Sequence, residues 1–105
     1  MENTTRTFEE LMGLTAEGYV YIFCADKETE DRFMRDAENA GILTGNGDKP
    51  TARGGRELVT LNADRTISFP GTNGHIAFQS AKKMGDKTII RVDYRKFVGG
   101  GDYLI

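Results

Sequence analysis

The chain has no tryptophan, one cysteine, one histidine and two prolines in 105 residues. A single cysteine excludes an intramolecular disulfide. With one histidine and no CxxC pair, a zinc site of the usual ligand spacing is excluded too. No apolar run approaches the ~20 residues that cross a bilayer. The opening MENTTRTFEE is too polar and acidic for a secretory signal. No metal, cofactor or membrane contact is therefore expected, and the expected location is a reducing cytoplasm. No G-x-S-x-G serine motif occurs either.

What is present is an ordinary composition, 38% hydrophobic and 29% charged, with thirteen glycines. A chain of this length makes one domain and can bury roughly two-thirds of its unfolded surface. Its organising stretch is residues 18–41, GYVYIFCADKETEDRFMRDAENAG. Val20, Ile22 and Cys24 alternate with Tyr19, Tyr21 and Phe23, so both faces of a strand over residues 19–24 are apolar. Such a strand belongs inside a sheet with material on each side. Asp26 suits the N-cap of a following helix, and Glu28, Glu30 and Asp31 suit its positive end. Glu28–Arg32 and Asp31–Arg35 are spaced for i,i+4 pairing. Phe33, Met34, Ala37 and Ala40 form the apolar stripe, and Gly41 the left-handed stop.

Upstream, Thr7 and Glu10 match a capping box, predicting a helix over residues 8–16 that buries Phe8, Leu11 and Met12. Downstream, TGNGDKPTARGGR over residues 44–56 reads as a long loop, functional or mobile. Its GNGDK resembles part of a phosphate cradle. The full pattern needs GxxxxGK and then Ser or Thr opening a helix. Pro50 follows Lys49, no helix is expected there, and the match fails. Period-two alternation then predicts strands over residues 58–61 and 66–69, joined as a hairpin. Residues 75–81 fit a strand or a single helical turn, and the strand is preferred. The last strand spans residues 87–94, with Ile90, Val92 and Tyr94 facing in. GGGDYLI closes the chain as a hinge with an apolar end. The expected fold is a single α+β domain over residues 1–105: a mostly antiparallel sheet of four to five strands, two helices and a flexible C-terminal tail.

None of the candidate chemistry amounts to an active site. Cys24 stands before a helix N-terminus, as in cysteine phosphatases, but the arginine needed six residues on is Glu30. A Cys24–His75 dyad can be drawn, yet no spacing requires it. The carboxylates of the second helix read as a solvated face. Lys82, Lys83, Lys87, Arg91, Arg95 and Lys96, with Tyr94 and Phe97 among them, could contact nucleic acid. A pI near 5.4 argues against direct nucleic-acid binding. No enzyme activity is expected.

Charge is unevenly spread. Residues 1–43 hold four Lys/Arg against ten Asp/Glu, and residues 44–105 hold ten against six, giving −6 and +4. Such a dipolar chain can steer a charged partner. With its GxVYIFC-like strand, its RFxxDAExAG-like helix, GDKPT and GTNGHIAFQ, the chain resembles small proteins of phages and conjugative elements of Gram-positive bacteria. The resemblance implies a mobile-element context, in which such proteins block a host defence, for example as anti-CRISPR proteins. Two functions are then expected. The first is a non-enzymatic inhibitor of a host defence protein, in its boldest form the CRISPR nuclease Cas9, with Glu28, Glu30, Asp31 and Glu38 as a phosphate-like face. The second is a small-molecule or nucleotide binder using Lys49, Arg53, Arg56 and His75.

Overall fold

The computed structural model describes residues 7–70, 79, 83–84 and 87–105. The elements run α1 (Phe8–Leu14), β1 (Tyr19–Phe23), α2 (Lys27–Asn39), β2 (Leu43–Thr44), α3 (Pro50–Arg53), β3 (Leu58–Leu61), β4 (Thr66–Ser68), β5 (Lys83–Met84), β6 (Lys87–Asp93) and α4 (Tyr94–Val98). The expected strand over residues 75–81, His75 included, lies outside the described residues, Gln79 apart.

β1 is the centre of the domain, as its two-sided apolar pattern requires. The sheet order is β2-β4-β3-β1-β6, with the two-residue β5 added at the β6 edge. Strand direction departs from expectation. β1 pairs antiparallel with β3 but parallel with β6, and β2 pairs parallel with β4. The sheet is therefore mixed rather than mostly antiparallel. Side-chain alternation has the same period in both arrangements, so it carries no direction. The β3–β4 hairpin is antiparallel as expected, with Arg65 at φ +64 in its turn.

One face of the sheet carries the main core. Val20 lies beside Leu61 and Ile90, and Ile22 beside Val59 and Val92. Phe8 and Leu11 of α1, Phe33, Met34 and Ala37 of α2, and Tyr94 and Phe97 of α4 join the same cluster. Phe33 meets Phe8 and Tyr94 at ring-centre distances of 5.6 and 5.0 Å. On the opposite face Tyr21, Leu58 and Ile89 form a second cluster, flanked by Tyr19 and Phe23. Ile89, which the inward set of Ile90, Val92 and Tyr94 leaves out, is buried there.

Local chemistry explains the helix ends. Asp26 Oδ1 accepts from the Thr29 N–H at 2.8 Å. At the other end Gly41 has φ +82, its N–H reaches Glu38 O, and Ile42 N–H reaches Ala37 O. That is a Schellman stop, with Ile42 buried behind it. α1 ends at Leu14, and no capping box forms, because Thr7 makes no side-chain cap. Glu10 instead accepts from Tyr103 Oη at 2.7 Å.

Among the described residues there are four helices rather than two. α4 begins where the last strand was expected to continue, because Asp93 Oδ1 caps Lys96 N–H at 3.3 Å. The segment expected to be a flexible tail returns instead along β6. Tyr103 O accepts from Asp93 N–H at 2.8 Å, and Ile105 N–H donates to Arg91 O at 3.0 Å. Its Tyr103 ring stands 5.1 Å from Phe97. Among the described residues, no helix is long and apolar enough to cross a membrane.

Candidate functional site

Two parts of the chain that the sequence keeps separate meet along one seam. Pro50 is buried and starts α3, a single turn, so a helix does open after Lys49, contrary to the sequence reading. Pro fits there because its fixed φ suits a first helical position and no N–H is needed. Thr51 N–H and Oγ1 both donate to Glu38 Oε1, at 3.2 and 2.5 Å. The bonds from Thr51 hold the Glu38 carboxyl below its usual range. Gly54 turns the chain at φ +81, and a side chain on Gly55 would stand 2.5 Å from Glu30 Cβ. The Gly54–Gly55 pair thus supplies a left-handed turn and then a close approach to α2.

This geometry divides the acidic set. Glu38 and Glu30 face the 50–55 segment. Glu28 is exposed, and Asp31 pairs with Lys27 at 3.2 Å rather than with Arg35. Arg32 pairs with Asp36 at 3.1 Å, not with Glu28. Asp36 is the better-fixed carboxylate, because its Oδ2 also accepts from Tyr94 Oη at 2.5 Å. Burial, and then this bond to Asp36, push the Tyr94 phenol far up, so it serves as a donor. These groups edge a cleft of about 540 Å³ between α1, α2 and α4.

The basic set is partly gathered. The guanidinium carbons of Arg53 and Arg56 lie 5.3 and 5.2 Å from the centre of the Phe69 ring. Arg53 also stands 3.7 Å from Asp48. Lys49 is exposed beside α3, and His75 lies outside the described residues. Phe69 was missed from sequence. Its only signal was an aromatic residue at the end of the strand expected over residues 66–69, which reads equally well as core.

Cys24 is buried and its backbone N–H donates to Glu57 O at 2.8 Å. Burial, helped by the Glu30, Asp93 and Asp26 carboxylates, pushes its thiol from an ordinary 9.0 up to about 12. A neutral, enclosed thiol is a poor nucleophile. At pH 8 the native protein should leave an aromatic disulfide reagent untouched, reacting only after denaturant is added. Rapid labelling of the folded protein would overturn this. The raised value also makes the folded state lose stability as pH rises from about 9 toward about 12, because the unfolded thiol ionises first. Among the described residues no group of three His, Cys, Asp or Glu is placed to hold a metal ion.

Compared with family models, curated proteins and solved structures, the chain has no significant match.

Proposed function

We propose that this protein acts by binding rather than by catalysis, occupying a surface of a larger protein partner through the seam of α2 and α3. The observation that carries this reading is the hollow at that seam. It measures about 280 Å³ and is lined by Asp31, Met34, Arg35, Thr51, Gly54 and Gly55. Met34 supplies an apolar floor, and Asp31 and Arg35 supply charges of both signs at the rim. Protein interfaces share that anatomy of apolar centre and polar rim. Glu28 extends the acidic side of the rim. The mobile-element resemblance suggests the partner: a host defence protein, with a CRISPR nuclease as the boldest choice. Phosphate mimicry is the narrower claim, since Glu30 and Glu38 face the 50–55 segment.

The test measures association with such a nuclease, alongside inhibition of its DNA cleavage. The double substitution Glu28→Lys and Asp31→Lys should slow association about 3- to 30-fold at low salt while the fold survives. Added salt should shrink the difference. Unchanged rates in the double variant, or no retention of any defence protein, would overturn the reading.

A further inference from the structure

From the cleft beside this seam we infer a second binding site, which takes a mononucleotide by its phosphate and its base. The cleft has a volume of about 290 Å³ and lies between the 44–46 turn, Arg53, the end of β4 and Phe69 just beyond it. Two guanidinium groups brought to one ring repel each other, so their convergence on Phe69 needs a counter-charge to be fully favourable. Asp48 meets Arg53 only at 3.7 Å, beyond hydrogen-bond reach. Arg56 has no carboxylate partner among the described residues, and its one hydrogen bond goes to Gly55 O at 3.0 Å. Arg53 lines the cleft, and Arg56, outside its lining, lies on the same Phe69 ring; an anion in the cleft that drew in both would gain charge-assisted, forked hydrogen bonds from each.

The opposite wall is preformed. Thr44 N–H donates to Asp48 O at 2.9 Å, Asp48 N–H to Thr44 Oγ1 at 3.1 Å, and Gly47 N–H to Thr44 O at 2.9 Å. This closed turn presents Asn46, whose N–H and carboxamide have no hydrogen bond among the described residues. Gly45 beside it has open space where a side chain would stand. A ligand oxygen can therefore approach the turn without moving it, which limits the ordering cost of binding.

The ligand follows from these groups. Phosphate suits Arg53, Arg56 and Asn46, and a planar base suits the outer faces of the flat guanidinium groups that lie over the Phe69 ring. The small cleft and the pI near 5.4 favour a single nucleotide over a nucleic-acid strand.

Titration of the full chain with AMP, adenosine, inorganic phosphate and a ten-base single strand tests this, read by calorimetry and amide chemical shifts. AMP should saturate, with shifts confined to residues 44–47, 53–56 and 67–70. Adenosine should bind about tenfold more weakly or worse, as loss of charge-assisted bonds requires. Arg56→Gln, at an exposed position, should weaken AMP about tenfold with unchanged melting. Phe69→Leu, which removes the ring that gathers both arginines, should weaken AMP and inorganic phosphate alike. The inference is overturned by no saturation at about 10 mM AMP, by equal affinity for adenosine, by shifts elsewhere, or by binding of the strand alone. Because the α2–α3 seam is left intact by Arg56→Gln, partner binding should survive that change.

Discussion

Replacing Ile22 with alanine should remove about 2–5 kcal/mol of stability. Ile22 is fully buried in β1, with Val59 and Val92 at its level on the two neighbouring strands. α2 and α4 close over the same face through Phe33 and Tyr94. The backbone around the lost side chain is held by ladders on both sides, so the hole cannot collapse fully. Ile22→Val removes one methyl group and should cost only about 0.5–1.5 kcal/mol. Val98→Ala, at an exposed position on α4, is the control and should be nearly neutral. Denaturant melts at matched pH measure all three. A loss below about 1 kcal/mol for Ile22→Ala would show that β1 is not the centre of stability.

A single added carbon at Gly18 should also be costly. The side chain of Gly18→Ala would run into the backbone oxygen of Thr88 and stand 3.1 Å from Ile90 Cδ1. Thr88 belongs to β6, which pairs with β1 from Tyr19 onward. Its oxygen cannot retreat without disturbing the parallel ladder. The expected loss is about 1–3 kcal/mol, the usual scale of overpacking. Gly13→Ala gives the contrast: that position is in α1 with open space around it, so alanine should gain up to ~1 kcal/mol from helix propensity. Equal melting of the two variants would mean that Gly18 is not a contact between β1 and β6.

The candidate sites were legible only in part. Arg53 and Arg56 stood out as cations in a glycine-rich loop, but nothing in their spacing joined them to Phe69. Glu28, Glu30, Asp31 and Glu38 looked alike as carboxylates on one helix. Glu38 became different once Thr51 reached it, and Glu30 once Gly55 lay against it. The i,i+4 spacing had paired Arg32 with Glu28, but Asp36, one turn the other way, takes it instead. The bond from Tyr94, 58 residues from Asp36, fixed the choice.

Local chemistry and periodicity alone determined the central strand, the amphipathic α2 with its Asp26 cap and Gly41 stop, the 58–68 hairpin and the α+β class. These depend on neighbours within a few residues: alternation at period two, a stripe at period 3.6, a carboxylate placed to meet free N–H groups, a glycine able to take positive φ. Tertiary structure alone decided strand direction, the start of α3 at Pro50, the return of residues 103–105 to β6, and the grouping of side chains into clefts. Each of these rests on contacts between residues far apart in the chain, and a short-range pattern is the same whichever distant partner satisfies it.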